Sequence, residues 1–506
     1  MSEAAAQPVG EVEVEPAHTG KVVKMAIIAA LGGFLFGYDS SVINGANTAV
    51  FHQFDITNHQ FQGFLVAVAL LGSAVGAFIG GQLADRLGRK RIMVIAAILF
   101  LIAGVGQGIP FGTIDFMFWR ILGGFAIGLA AVISPMYISE VAPAHLRGRL
   151  SSLFQLAIVL GIFATQLVNQ LLLMAAGGPT EFAPAAPGYQ PAVQANNTFW
   201  LGLQTWQWMF LCMIVPAVIY GLLAMTLPES PRYLVARGKI EQATKVLQGI
   251  FVNDVGPKVQ DIKDSIDSDH KPSMSDIKGK ALGLQPIVWV GIILAVFQQF
   301  VGINAVFYYS NLIWASVGFP ASKAFFTSTI ISAVNVIFTF VAIAFIDRLG
   351  RKKLLMIGSV GMFFTLGLLS ILFIAAPKVV AGPGVDSTTV GNPILSSTNG
   401  WIAVVSLNVY VAFFAATWGP ILWVMLGEMF NNTIRAAAMS VTVATNWIAN
   451  FIVSESFPTL VGISLGLAYG IFTVCAFASF FYVWKFVKET KGMQLEDMDS
   501  LEGTKA

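Results

Sequence analysis

Charge is scarce in this chain. Only 11% of its 506 residues are Asp, Glu, Lys or Arg, against about 25% in an ordinary soluble domain. That is too little to clothe a globular surface of this size. Cysteine is scarcer: Cys212 and Cys475 are the full complement, both within apolar runs, so no disulfide framework is implied. Histidine occurs five times and never in the middle of an apolar segment, and no Cys/His spacing suits a metal. The phosphate-cradling pattern GxxxxGK[ST] and the zinc pattern HExxH are both missing. The chain therefore reads as neither an enzyme nor the holder of a cofactor or metal. A net charge of +2 leaves no electrostatic footprint for nucleic acid. The first twenty residues are acidic and rich in Ala and Pro, without the basic start of a signal peptide.

What fills the chain is hydrophobic: 56% of residues, with a mean hydropathy of +0.74. Twelve segments are apolar over the roughly 20 residues that a helix needs to cross a bilayer. They run at about 22–48, 60–83, 91–109, 114–138, 149–173, 206–227, 284–312, 323–346, 353–375, 400–428, 436–456 and 462–487. The expected protein is an all-α integral membrane protein with 12 transmembrane helices. Its expected division is a disordered cytoplasmic tail 1–21, a six-helix bundle 22–227, a cytoplasmic helical linker 228–283, a second six-helix bundle 284–487 and a cytoplasmic tail 488–506. Orientation follows from the short loops. Those after the second, fourth, eighth and tenth helices hold Arg86, Arg89, Lys90, Arg91, Arg147, Arg149, Arg348, Arg351, Lys352, Lys353 and Arg435, whereas the opposite loops hold Lys323 and Lys378. The basic side is the cytoplasmic one, which puts both termini in the cytoplasm.

The halves repeat each other. "DRLGRK" stands at 85–90 and again at 347–352, and a Glu-x6-Arg pair recurs as Glu140 with Arg147 and Glu428 with Arg435. Two parallel six-helix repeats describe the major facilitator architecture, with a substrate site at the midplane between halves. Asp85, Arg89, Asp347 and Arg351, with Glu140, Arg147, Glu229, Arg232, Glu428 and Arg435, are expected to form a cytoplasmic gate of ion pairs. For either copy of the motif alone, plain basic anchoring is the other reading.

Two charges lie inside the apolar spans. Asp39, in "GGFLFGYDSSVING", lies about 21 Å along the first helix, and Arg120, in "FWRILGG", about 9 Å below the outer end of the fourth. A carboxylate in lipid is costly and has a task or a partner, and the matching depths predict an Asp39–Arg120 pair. It is either a site that takes and releases a proton or a static ion pair. The other polar groups are neutral. "FQQFVGINAVFYYSN" puts Gln298, Gln299 and Asn304 in the seventh helix, with Gly302 as a break; "ATWGPILW" puts Pro420, Trp418 and Trp423 in the tenth. Asn446 lies near the midplane of the eleventh helix, and Gln155, Gln166 and Asn335 complete the set. Amides with an aromatic face suit a sugar or polyol; some of them can equally glue helices together. The run "GVGQG" at 104–108 reads as close helix packing, "NNT" at 196–198 as a weak glycosylation signal, and Glu455 as surface-exposed.

"GYDSSVING", the two "DRLGRK" turns, "PMYISEVAPAHLRG", "PESPRYL", "QQFVGINAVFYYS", "WGPILW", "NWIANF" and "KETKG" together resemble the sugar porter family of the major facilitator superfamily over residues 22–492. The resemblance implies that Gln155, Gln298, Gln299, Asn304, Asn335, Trp423 and Asn446 contact the sugar. It also implies that Asp39 is the proton carrier and Arg120 its partner. "KETKG" departs from the family's usual Pro-Glu-Thr-Lys-Gly at Lys488. Ala415, where animal facilitative carriers place a glutamate, is similar to bacterial xylose and galactose symporters. The expected function is proton-coupled symport of a monosaccharide, glucose first, by a monomer in a bacterial inner membrane. The alternatives are a facilitative uniporter, a symporter of xylose, galactose or myo-inositol, and last a sugar sensor that does not transport.

Overall fold

The computed structural model describes residues 16–177, 195–268, 275–319, 321–380, 391–430 and 434–490. The first half comprises α1 (Thr19–Gln53), α2 (His59–Leu87), α3 (Arg89–Gly108), α4 (Thr113–Val141) and α5 (Ala144–Ala175). It ends with α6 (Thr205–Leu211) and α7 (Ile214–Thr226), one span broken at Cys212–Met213. The linker carries α8 (Pro231–Ala236), α9 (Ile240–Ile250) and α10 (Gly256–Ser268). Besides the helices expected there, it holds β1 (Lys278–Gly279) and β2 (Gly283–Leu284), antiparallel with Lys278 opposite Leu284. The second half runs α11 (Pro286–Phe300), α12 (Ile303–Ser316), α13 (Ala321–Leu349), α14 (Arg351–Ala375), α15 (Ser397–Ala416), α16 (Trp418–Glu428), α17 (Arg435–Ile463) and α18 (Leu465–Phe486). Among the described residues, twelve spans are long and apolar enough to cross a membrane. They lack the polar face of a surface helix and satisfy their backbone internally, as a lipid solvent demands.

The tail was expected to be disordered through residue 21, but residues 16–21 are ordered. Ala17 forms a β-bridge with Phe251 and the His18 amide donates to the Ile250 carbonyl at 2.8 Å. This ties the start of α1 to the linker.

The packing is duplicated between halves. α1 lies on α5 as α11 lies on α17; α2 lies on α4 as α13 lies on α15; α3 lies on α7 as α14 lies on α18. Small residues permit the closest of these approaches. A Cβ on Gly124 or Gly128 would run into the carbonyls of Ala69 or Ser73 on α2, and one on Gly72 or Gly76 into those of Ile121 or Phe125 on α4. The α2–α4 interface is therefore backbone against backbone, a packing that lipid favours. The halves meet where α2 packs on α17, α5 on α13 and α1 on α12.

Both DRLGRK turns pivot on a glycine with positive φ, 96° at Gly88 and 85° at Gly350. Each glycine also lies against a carboxylate, Glu229 and Glu489 respectively, so a side chain is excluded twice over.

Candidate functional site

Asp39 is buried in the C-terminal half of α1 and Arg120 in the first half of α4, both all but inaccessible. The structure brings them together, but loosely. Arg120 Nη1 stands 4.0 Å from Asp39 Oδ1. It donates instead to the Asp39 backbone carbonyl at 3.2 Å, while Nη2 donates to the Val66 carbonyl of α2 at 3.3 Å. Between the two charges stands Gln107, the penultimate residue of α3. Its Nε2 donates to Asp39 Oδ1 and to the Trp119 carbonyl, each at 3.3 Å, and its Oε1 accepts from Arg120 Nη1 at 3.5 Å. Among the described residues, Asp39 Oδ2 and Arg120 Nε have no hydrogen-bond partner. The "GVGQG" run does pack closely, since Gly106 lies under the Trp119 ring. Reading it as packing alone passed over the one polar side chain it delivers.

The breaks in the second half gather the amides. Gly302 (φ 88°) ends α11 and starts α12, and the Val301 carbonyl at that break is taken by the Tyr410 hydroxyl at 2.7 Å. Gln299 Nε2 donates to Asn446 Oδ1 at 3.1 Å, and Gln299 Oε1 accepts from Asn304 at 2.6 Å. Asn446 Nδ2 donates to Gln298 Oε1 at 2.8 Å. Gln298 Nε2 reaches the Trp418 carbonyl at 3.1 Å, beside the second break. That break falls at Thr417, three residues before Pro420, whose missing N–H cannot extend a helix. Gln298, Gln299, Asn304 and Asn446 thus form one bonded cluster. Gln155 is half-buried, Asn335 is buried and Trp423 is 38% exposed. Among the described residues no hydrogen bond joins these three to the cluster. Trp418 faces inward instead, its Nε1 donating to the Leu355 carbonyl at 3.0 Å and to Ser359 at 3.1 Å.

A third group joins the halves. The Asn311 backbone N–H of α12 donates to Asn44 Oδ1, and Asn311 Nδ2 to the Asn44 carbonyl, each at 3.0 Å. Asn44 Nδ2 donates to Ser310 Oγ at 2.9 Å and to Gln166 of α5 at 3.1 Å. Asn47 donates to the Tyr308 carbonyl at 3.1 Å. This junction lies on α1 five to eight residues beyond Asp39, at the end away from the DRLGRK turns.

At the DRLGRK end, Arg89 forks onto Glu140 (Nη2–Oε1 2.8 Å) and also meets the exposed Asp85 at 3.0 Å. Glu229 Oε1 accepts the Arg89 and Lys90 amides at 2.9 and 3.2 Å, capping α3. The second copy repeats this arrangement. Arg351 forks onto Glu428 (2.8 Å), and Glu489 accepts the Arg351 and Lys352 amides at 2.8 and 3.1 Å. In the second copy Glu428 holds Arg351, and Arg435 donates to the Phe430 carbonyl at 3.3 Å. Arg232 is half-buried. The side chains of Arg147 and Asp347 lie outside the described residues. The Arg89–Glu140 and Arg351–Glu428 pairs each lie within one half. Glu489 was absent from the expected gate, yet it follows Arg351 by 138 residues as Glu229 follows Arg89 by 140. That spacing was readable from the repeat.

Glu455 is half-buried, not surface-exposed. It lines an open cleft with Asp55 and Asp115 at the end away from the DRLGRK turns. Asn196, in the "NNT" signal, spends its amide hydrogens on the Ala49 carbonyl and Gln204, each at 3.0 Å.

The sequence profile of the family described as "Sugar (and other) transporter" matches residues 25–501. The chain is 48% identical to a glucose transport protein of Synechocystis sp. (strain ATCC 27184 / PCC 6803 / Kazusa), over 94% of this chain and 97% of that one. It is 35% identical to the D-xylose-proton symporter of Escherichia coli (strain K12), over 95% of both. A solved structure of the E. coli xylose transporter XylE, in a partially occluded inward-open conformation, superposes with a TM-score of 0.75 at 32% identity, covering 94% of this chain and 100% of that one.

Proposed function

The chain belongs to the sugar (and other) transporter family, and from that membership we propose that it carries a monosaccharide, glucose foremost, together with a proton by alternating access. One observation carries the coupling: a fully buried carboxylate, Asp39, whose Oδ2 has no partner among the described residues although an arginine stands within reach. A static ion pair would close on both oxygens; this one leaves an oxygen free to take a proton. The DRLGRK end is taken as cytoplasmic, as its basic residues favour, and the membrane as a bacterial inner one, as the organisms of the relatives suggest. A single chain contains both halves and is the transporting unit.

The sugar site is the amide cluster of Gln298, Gln299, Asn304 and Asn446, with Gln155, Asn335 and Trp423 contributed from α5, α13 and α16. The cluster's amides bond one another when sugar is absent, so a hydroxyl-bearing ligand exchanges those bonds for its own. An apolar ligand would leave them unpaired, at about 1–3 kcal/mol for each buried group. The proton site and the α1–α12 junction share one helix. Protonation of Asp39 alters the hold of Arg120 on α1, and α1 carries the change to Asn44 and the partner half. A proton-motive force of about 150 mV is worth roughly 3.5 kcal/mol per charge, enough to concentrate sugar a few hundredfold.

The test is labelled glucose uptake into proteoliposomes with and without an inward proton gradient. Wild type should accumulate sugar under the gradient. Asp39→Asn should only equilibrate it, while still exchanging sugar across the membrane. Gradient-independent equilibration by both proteins would make the chain a uniporter. Accumulation of xylose or arabinose in preference to glucose would revise the substrate but not the mechanism.

A further inference from the structure

We propose that Gln107 is a positioning residue of proton coupling: its amide keeps Arg120 from closing on Asp39 and so leaves Asp39 Oδ2 free to receive the proton. The role rests on the symport reading above.

The amide is inserted with the polarity this requires. Its donor end faces the carboxylate (Nε2 to Oδ1, 3.3 Å) and its acceptor end the guanidinium (Nη1 to Oε1, 3.5 Å). The second hydrogen of Nε2 is donated to the Trp119 carbonyl at 3.3 Å, one residue before the arginine itself. Gln107 and Asp39 are wholly buried and Arg120 is 2% exposed, and at such burial opposite charges favour a bidentate fork. No such fork forms. The guanidinium rests on the carbonyls of Asp39 and Val66 and leaves the carboxylate at 4.0 Å. The remaining oxygen, Oδ2, points to a clearance in α4: a Cβ built on Gly123 would lie 2.8 Å from Oδ2 and 2.7 Å from Gln107 Nε2. From the other half, Tyr308 and Tyr309 of α12 come near enough to act electrostatically on Arg120. The side chains at the carboxylate itself are one cation and one amide. The amide alone touches both members of the pair.

If Gln107 merely packed the end of α3, its loss would cost stability and leave coupling alone. The two roles separate in proteoliposomes, using gradient-driven glucose accumulation and glucose counterflow, which needs no net proton movement. Gln107→Met keeps the length and removes both hydrogen-bonding ends; Gln107→Asn keeps both ends one methylene shorter. Gln107→Met should lower accumulation about tenfold or more, the scale of one lost hydrogen bond to a charged group, with counterflow near wild type. Gln107→Asn should recover part of the loss. In the Asp39→Asn background, Gln107→Met should change nothing further, because the two act as one unit. Wild-type accumulation in Gln107→Met would overturn the role. So would a joint fall of accumulation, counterflow and melting temperature that is the same in both backgrounds. Failure of the wild type itself to accumulate would remove the symport reading and this role with it, whereas normal wild-type accumulation with an indifferent Gln107→Met removes this role alone.

Discussion

Gly123 is where the coupling site has the least room. A methyl group there would sit 2.7 Å from Gln107 Nε2 and 2.8 Å from Asp39 Oδ2, closer than side-chain carbons approach such atoms, so both side chains must turn away. Overpacking of this kind costs about 1–3 kcal/mol. Gly123→Ala should therefore reduce gradient-driven accumulation by roughly fivefold to a hundredfold. Gly81→Ala, with nothing within 4 Å, should leave it unchanged. Equal accumulation by the two variants would show that the crowding is relieved without reaching the carboxylate. In the amide cluster, Asn446→Ala strips Gln298 Oε1 of one donor and Gln299 Nε2 of one of its two acceptors. With buried groups left short, sugar affinity should fall roughly ten- to hundredfold, read by equilibrium binding of labelled glucose; undiminished affinity would place the sugar elsewhere. Asp39 and Arg120 could be read from the sequence because charge inside an apolar span is conspicuous and depth follows from helical rise. Gln107 could not, because a single glutamine at a helix end carries no periodic or charge signal. Only the fold puts it between two charges that are 81 residues apart in sequence.

Helices are the scale at which the sequence was most readable, and their ends the point where it was least so. Apolar length alone places twelve spans. Gly302 and Pro420 announce two of the broken ones, although the second break falls at Thr417. The break at Cys212–Met213 falls three residues before Pro216, the offset at which Thr417 precedes Pro420, so it too carried a proline signal that apolar length alone does not use. Composition did not say how closely α2 and α4 approach, which depends on four glycines facing each other across the interface. Gly124→Ala tests that approach. Its Cβ would collide with the Ala69 carbonyl, a backbone atom that cannot rotate aside, so α2 and α4 must separate along their length. The cost should exceed the common 0.5–3 kcal/mol of a point substitution. The expected outcome is little monodisperse protein after detergent extraction, against normal yield for Gly81→Ala. Normal yield and melting temperature for Gly124→Ala would mean that the interface tolerates separation.

Across the whole molecule, the two ends differ in how the halves meet. Away from the DRLGRK turns, Asn44, Asn47, Ser310 and Asn311 bond α1 to α12. At the DRLGRK end, among the described residues, α4 packs within its own half and on α8 of the linker, α16 packs within its own half, and the Arg89–Glu140 and Arg351–Glu428 pairs each lie within one half. Among the described residues, the hydrogen bonds that cross between α1 and α12 therefore lie away from the DRLGRK turns. The α1–α12 part of the fastening at that end is polar and modest, beside the close packing of α2 on α17, as a latch must be if it is to open in every cycle. Asn44→Ala deletes two bonds that cross between halves, one from the Asn311 N–H and one to Ser310. Hydrogen bonds between helices in lipid average about 0.6 kcal/mol and reach about 1.7. Their loss should therefore cost the latched state about 1–2 kcal/mol, a roughly five- to thirtyfold shift in population. Spin labels on Thr57, at the start of α2, and Ser397, at the start of α15, report the separation of the halves at this end. The wild type should give a distance distribution dominated by the short, latched separation, and Asn44→Ala a distribution with a long component that grows accordingly. An unchanged distribution would show that apolar packing of α1 on α12, and not the asparagine junction, holds this end shut. The same variant tests the path from Asp39, because a latch that no longer depends on Asn44 has no reason to respond to a proton five residues away.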